Sequence, residues 1–107
     1  LHKAIRRQRQ MCIRDRAYVY MFIEALADGC VKNGLPRQMA YRMAAQAVLG
    51  SAKMVLETGK HPGELKDMVC SPGGTTIEGM KVLEDRDLYG IVSEACDKCI
   101  KRAYELG

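Results

Sequence analysis

Several features that mark common classes of protein are missing from this chain of 107 residues. It has no run of about 18 apolar residues, which excludes a transmembrane helix. The N-terminal segment lacks the apolar stretch and the small-residue cleavage site of a secretory signal. No segment alternates apolar and polar residues with a period of two, as a half-buried β-strand would. A length of this order is typical of one domain, and we expect that domain to be all-α.

The cysteines do not form the pattern of a disulfide framework. Five are present, an odd number, and this favours a reducing compartment and a cytoplasmic location. Cys96 and Cys99 are separated by two residues, so on a helix both thiols would lie on one apolar face. A zinc site needs about four ligands, and no second pair has suitable spacing. We therefore expect core cysteines and no metal.

The usual sets of catalytic residues are also missing. The sequence contains no obvious carboxylate pair, Ser/His/Asp set or Cys/His set. His61 precedes Pro62 in a predicted turn, where a solvated side chain is favoured over a general base. These patterns alone do not indicate a complete active site.

The excess of positive over negative charge in the chain lies in its first 16 residues. That segment has a net charge of +5, whereas the other 91 residues sum to −1. Such a run could bind a phosphate backbone, but it has no interleaved aromatic residues and no recognition motif follows it. We read residues 1–16 as a basic leader that is non-native or disordered, and we expect no nucleic-acid partner. A nucleic-acid arm on a helical dimer is the weaker alternative.

Apolar spacing and helix-breaking residues together predict five or six helices. Gly34 suits a helix end, and Pro36 and Pro62 suit helix starts. The first predicted helix is apolar on nearly every face, and the second is rich in small residues, so both require a partner surface. A homodimer is the expected state. The predicted helices cover residues 17–33, 36–58, a short stretch after 62, 76–84, and 88 to the C-terminal region.

The segment from Ser71 to Thr76 is the most informative part of the sequence. It reads Ser-Pro-Gly-Gly-Thr-Thr, with two adjacent glycines that leave the backbone open to close approach. A turn with exposed N–H groups that leads into a helix is a suitable site for an anion. The alternative is a simple helix cap, in which Thr75 or Thr76 accepts a hydrogen bond from a free backbone amide.

An ordered series of segments surrounds this turn, and the series resembles the C-terminal domain of pyrroline-5-carboxylate reductases. A Gly-Gly-Thr sequence alone would be weak support, but the complete series is highly specific. The resemblance covers residues 17–107. It rests on Ala17–Gly29, Val31–Arg37, Gln46–Gly50, Ala52–Met54, His61–Asp67 and Ser71–Thr76.

The resemblance implies a helical dimerisation and substrate-binding domain with an interlocked dimer, which in the family often assembles into larger rings. The family's enzyme reduces 1-pyrroline-5-carboxylate to L-proline, the last step of proline biosynthesis. By resemblance, Ser71, Gly73, Gly74 and Thr75 would bind the substrate carboxylate. The Thr76 hydroxyl would meet the ring nitrogen and is the expected catalytic residue.

Two departures from the family pattern accompany the resemblance. No Gly-x-Gly-x-x-Gly follows a predicted strand, so we expect no cofactor-binding residues here and no NADPH or NADH bound by this chain alone. The family usually has Ser-Gly-Ser-Gly-Pro before the domain, where this chain has Met11–Arg16. We expect a fragment, inactive alone, that arises from a truncated gene or an assembly artefact. A non-catalytic helical homodimerisation module is the rival hypothesis.

Overall fold

Five α-helices make up the part of the chain that the structure describes. The structure is a computed structural model that describes the backbone of residues 2–70 and 74–106, and the side chains of residues 16–70 and 74–106. No β-strand occurs in these ranges, so the expected all-α class is confirmed. The helices are α1 (His2–Lys32), α2 (Arg37–Thr58), α3 (Pro62–Cys70), α4 (Gly74–Asp85) and α5 (Leu88–Glu105).

The first helix starts earlier than the sequence pattern indicated. We expected the helix to begin at about Ala17, after a leader, but α1 runs without a break from His2 to Lys32. The backbone of the basic segment therefore continues that of the domain. Whether residues 1–16 are native to this domain stays a prediction.

The chain divides into two compact units, and the first of them ends at Gly59. In this unit α1 and α2 meet through alanines: Ala27, Ala40 and Ala44 are buried. A methyl side chain keeps its helix axis close to the neighbouring helix, which explains the alanines at positions 40 and 44 of α2. Half-buried apolar residues complete the contact, namely Ile23, Cys30, Val31 and Leu35.

Glycines end both helices of the first unit, as their positions in the sequence predicted. Gly34 has φ = +112°, and its N–H donates to the carbonyl oxygen of Val31 at 3.0 Å. Gly59 has φ = +67°, and its N–H donates to the carbonyl oxygen of Val55 at 3.2 Å. Both conformations are unfavourable for residues with a Cβ.

The second unit begins at Lys60 and contains α3, α4 and α5. Proline opens α3 at Pro62, as the sequence predicted. A tight turn separates α4 from α5, and Asp87 in that turn has a left-handed backbone with φ = 57°. Its carboxylate accepts a hydrogen bond from the N–H of Gly90 at 3.2 Å and so caps α5. No residue of these three helices is buried.

Candidate functional site

The Ser71–Thr76 segment lies at the junction of α3 and α4. Ser71 and Gly73, two of the predicted substrate-binding residues, lie outside the described residues. Gly74, Thr75 and Thr76 are the first three residues of α4. The Gly74 and Thr75 positions are exposed, and Thr76 is half-buried. The structure therefore places three of the five predicted residues in one helical turn.

The sequence-based alternative of a threonine cap is wrong for both threonines. A capping residue precedes the first helical residue, whereas Thr75 and Thr76 already have helical backbone within α4. The helix begins two residues before the predicted residue 76. Glycine is tolerated at that point because the first N–H groups of a helix have no intrahelical partner in any case.

The first turn of α4 suits a negatively charged ligand. Its leading backbone N–H groups point out of the helix, where the helix dipole is positive. No acidic residue lies in this turn, so no carboxylate within it competes for that position. The open end of α4 can therefore donate hydrogen bonds to an external anion.

Gly74 has no evident structural reason to be glycine within the described part of the chain. A Cβ built at this position would meet no heavy atom within 4 Å. Its φ is not among the positive values, which among the described glycines occur only at Gly34 and Gly59. Neither packing nor backbone strain therefore requires glycine here.

His61 stabilises the start of α3. It is exposed, and its Nδ1 accepts a hydrogen bond from the N–H of Gly63 at 2.9 Å. The carbonyl oxygen of His61 also accepts from the N–H of Glu64 at 2.9 Å. This is a residue in a turn, as the sequence led us to expect, with a capping role that the sequence did not reveal.

The described cysteines give no sign of a metal centre. Cys96 and Cys99 are half-buried on α5, and no disulfide joins the cysteines at positions 30, 70, 96 and 99. Within the residues that the structure describes, no group of three or more His, Cys, Asp or Glu residues could hold a metal ion. No helix in that part of the chain is both long and apolar enough to cross a membrane.

Lys66 connects α3 with the start of α5, a contact that the sequence pattern did not reveal. The Lys66 ammonium donates to the Tyr89 hydroxyl oxygen at 3.4 Å and lies 3.9 Å from Oδ1 of Asp67. The hydrogen bond to Tyr89 raises the pKa of Lys66 above its ordinary value, and the charges of Asp67 and Glu84 add to the increase. Only a third of this side chain is exposed, compared with two thirds for Lys53.

A second cluster braces the turn between α1 and α2. Arg37 forms an ion pair with Asp28 at 2.9 Å, and its guanidinium also donates to the hydroxyl oxygen of Tyr41 at 3.2 Å. The hydrogen bond to Asp28 raises the pKa of Arg37, and the contact with Tyr41 contributes in the same direction. Both the carboxylate and the guanidinium are exposed, so this cluster is a surface ion pair that stabilises the turn between α1 and α2.

Large apolar side chains cover much of the exposed surface in each unit. Along α1, Val19, Phe22 and Leu26 share one face and are all exposed. Isolated apolar residues are common at protein surfaces, but contiguous ones mark contact sites. The others in the first unit are Tyr20, Met21, Met39, Tyr41, Met43, Leu49, Met54 and Leu56. Those in the second unit are Met68, Val69, Ile77, Val82, Leu83, Tyr89, Ile91, Val92, Tyr104 and Leu106.

Comparisons with known proteins agree on one family. The family model "pyrroline-5-carboxylate reductase dimerisation" matches residues 14–106. The pyrroline-5-carboxylate reductase of Escherichia coli K12 is 63% identical over 90 residues, which cover 84% of this chain and 34% of that protein. The chain therefore spans about a third of the length of this relative.

Two solved structures have the same fold. The 1-pyrroline-5-carboxylate reductase of Streptococcus pyogenes matches with a TM-score of 0.80 and 46% identity, over 84% of this chain and 35% of that one. The pyrroline carboxylate reductase of Plasmodium falciparum, solved with NADP bound, matches with a TM-score of 0.82 and 36% identity. This second match covers 87% of the present chain and 36% of the other.

The residues that the structure describes do not form a dinucleotide-binding unit of the Rossmann type. A dinucleotide site of the Rossmann type requires a strand, a glycine-rich turn and a helix in sequence. The described ranges contain helices and turns but no strand that could begin such a unit. The matched part of this chain is therefore distinct from a dinucleotide-binding domain.

Proposed function

The chain belongs to the pyrroline-5-carboxylate reductase dimerisation family, and from this premise we propose that it is the C-terminal domain of a pyrroline-5-carboxylate reductase. Such an enzyme reduces 1-pyrroline-5-carboxylate to L-proline with NADPH or NADH. This domain would bind and orient the substrate, and the cofactor would be held by a separate domain. The described residues alone would be inactive.

The observation that carries this proposal is the open first turn of α4. It combines outward N–H groups, no acidic residue, and a glycine that nothing in the described chain requires. A small substrate with a carboxylate group matches each of these features. The backbone of Gly74 would come into direct contact with the carboxylate oxygens.

We assign the binding of the carboxylate to Ser71, Gly73, Gly74 and Thr75. The Ser71 hydroxyl and the backbone amides would each donate to a carboxylate oxygen, and each charge-assisted hydrogen bond contributes about 1.5–3 kcal/mol. The positive end of the α4 dipole would add about 0.3–1 kcal/mol. Held in this way, the ring would present one face to the hydride donor.

Thr76 is the proposed catalytic residue. Its side chain is half-buried next to the proposed carboxylate site, because it belongs to the same helical turn as Gly74 and Thr75. The hydroxyl would form a hydrogen bond with the ring nitrogen and orient the C=N bond as the nitrogen becomes an amine. The chemistry of hydride transfer belongs to the cofactor, so this chain contributes position and hydrogen bonding.

The family suggests homo-oligomerisation, and we propose specifically an interlocked homodimer that can assemble into larger rings. The exposed apolar faces of both units support this proposal, because Phe22 and its neighbours would otherwise remain in contact with water. The same faces would also suit a non-catalytic homodimerisation module, which is the second candidate function. A cytoplasmic location agrees with the absence of a disulfide among the described cysteines.

A graft tests the proposed function. Residues 17–107 are joined to the cofactor domain and the Ser-Gly-Ser-Gly-Pro segment of the E. coli relative, and NADPH oxidation is assayed with 1-pyrroline-5-carboxylate. We expect turnover, and we expect Thr76→Ala to lower kcat/KM by at least about tenfold, which corresponds to roughly 1.4 kcal/mol.

The matched control for this experiment is Thr58→Ala. It removes a threonine hydroxyl that donates to the carbonyl oxygen of Met54 at 2.6 Å at the end of α2, away from α4 in the sequence. Its kcat/KM should stay within about twofold of the parent. A folded dimer without turnover would instead favour the homodimerisation module.

A further inference from the structure

The Lys66–Tyr89 hydrogen bond joins two helices that are not consecutive in the chain. Lys66 lies four residues before the end of α3, about 6 Å along the helix axis from Cys70. Tyr89 is the second residue of α5, next to the turn that follows α4. The 3.4 Å contact between Nζ and the hydroxyl oxygen therefore links the middle of α3 to the start of α5, next to the turn after α4.

This contact completes a closed arrangement of three helices. Residues 71–73 connect α3 to α4, and Arg86 and Asp87 connect α4 to α5. Both connections are short, so the direction of each helix depends on that of its neighbours. The hydrogen bond between Lys66 and Tyr89 adds a direct connection between α3 and α5.

The charge environment of Lys66 suits this role. Besides the Tyr89 hydroxyl, its ammonium has the Asp67 carboxylate at 3.9 Å and is in the electrostatic field of Glu84 at the end of α4. One cation on α3 therefore interacts with groups on α3, α4 and α5. An exposed lysine paired only within its own helix, such as Lys53 with Glu57 at 3.8 Å, has no such connection.

From this geometry we infer that Lys66 and Tyr89 are positioning residues, which hold the first turn of α4 in the orientation that receives the substrate carboxylate. The inference deepens the proposed function and rests on it. Neither residue touches the substrate. Both act through the direction in which the backbone amides of Gly74 and Thr75 point.

The expected kinetic signature differs from that of Thr76. The substrate carboxylate does not change during the reaction. A misdirected carboxylate site therefore weakens the binding of the substrate and of the transition state equally, and it raises KM. Thr76 would contact the reacting nitrogen, so its loss lowers kcat. A role that merely stabilises the fold would change neither KM nor kcat once folded enzyme is assayed.

The first experiment uses the full 107-residue chain. Lys66→Met removes the ammonium, Tyr89→Phe removes the acceptor oxygen, and Lys66→Arg keeps a donor of similar reach. Circular dichroism checks that each variant retains its helices. We expect the first two variants to displace the amide NMR signals of residues 74–76 and Lys66→Arg to restore them, whereas Lys53→Met leaves them in place. Unmoved signals in both Lys66→Met and Tyr89→Phe overturn the inference.

The second experiment places the same variants in the grafted reductase. We expect KM for 1-pyrroline-5-carboxylate to rise by about three- to thirtyfold in Lys66→Met and Tyr89→Phe, with kcat within about twofold. An unchanged KM beside a damaged Thr76→Ala enzyme overturns the positioning role and leaves the proposed function intact. A graft without any turnover counts against the proposed function instead, and the amide signals then decide the positioning role.

Discussion

The carboxylate of Asp87 occupies the space that a side chain at position 90 would need. A Cβ built on Gly90 would lie 2.6 Å from Cγ and 2.9 Å from Oδ1 of Asp87, closer than real Cβ atoms approach. The same carboxylate accepts the Gly90 N–H at 3.2 Å, so the cap and the glycine depend on each other. The left-handed backbone of Asp87 aims its side chain back at the start of α5.

Gly90→Ala should therefore destabilise the chain although alanine favours helices. The new methyl group displaces the Asp87 carboxylate and breaks the cap, which costs about 0.5–2 kcal/mol in the free energy of unfolding, measured by urea titration. In an Asp87→Asn background the cost should persist, because asparagine also caps and also tolerates a left-handed backbone. In an Asp87→Gly background, where no side chain is displaced, most of the cost should disappear. Equal costs in all three backgrounds would contradict this account.

Gly74→Ala should weaken substrate binding without lowering the stability of the fold. The free energy of unfolding should stay the same or rise by up to about 1 kcal/mol, because Gly74 has no neighbour within 4 Å and alanine is the better helix former. In the grafted reductase, KM should rise by at least about tenfold, since a methyl group would stand where the carboxylate approaches the backbone. Gly79→Ala, in the middle of the same helix and equally free of neighbours, is the control and should leave KM unchanged. A normal KM in Gly74→Ala would remove this residue from the substrate site.

Ala40→Leu should separate α1 from α2. Ala40 has no exposed surface and belongs to the buried alanine cluster of the two helices, so three additional carbon atoms force the backbones apart at a cost of about 1–3 kcal/mol. Ala40→Ser adds one atom, and its hydroxyl can bond to the backbone of its own helix, so the effect should be much smaller. Thermal unfolding measured by circular dichroism distinguishes the two. If serine cost as much as leucine, polarity and not volume would be the cause.

Phe22→Glu should weaken self-association. Phe22 is exposed on the apolar face of α1 with Val19 and Leu26, and a carboxylate there would be buried without a partner in an oligomer. Sedimentation velocity should show a dissociation constant raised by at least about tenfold. Lys32→Glu introduces the same side chain at an exposed position in the last turn of α1 and should leave association unchanged. An unaffected Phe22→Glu oligomer would place the contact elsewhere on the chain.

Gly59→Ala should shorten α2 or strain its end. At φ = +67° a Cβ costs about 1–2 kcal/mol. The free energy of unfolding should fall by that amount, although a Cβ at this position would meet no neighbouring atom. Gly59→Asn should recover part of the loss, because asparagine adopts this conformation more readily. A neutral Gly59→Ala would mean that the end of α2 relaxes without cost.

The helices could be predicted because their signals are local. The apolar spacing of α5, the prolines at the starts of α2 and α3, and the glycines after α1 and α2 each act within a few residues. The predicted start of α4, residue 76, lies two residues after the observed start at Gly74, because glycines at a helix start are also typical of a turn. The basic composition before Ala17 gave no indication of the continuous helix observed there.

The contacts around the candidate site could not be predicted in the same way. Lys66 and Tyr89 are 23 residues apart, and each looks like an ordinary surface residue until α3 and α5 are placed beside each other. The interaction of Asp87 with Gly90 was not predicted, although an aspartate three residues before a glycine at a helix start is a recognisable capping pattern. Ser71 and Gly73, which the resemblance assigns to the substrate, lie outside the described residues and stay predictions.

The three buried alanines between α1 and α2 have a consequence for how the stability of the protein depends on its concentration. Within the described residues the buried apolar side chains are these alanines, and so small an interior contributes little free energy to folding. In the homodimer proposed above, folding and assembly would form one equilibrium, and the midpoint of thermal unfolding would rise with protein concentration. Dilution would then release unfolded monomers, and the amount of intact domain would depend on the rate of synthesis as much as on the sequence.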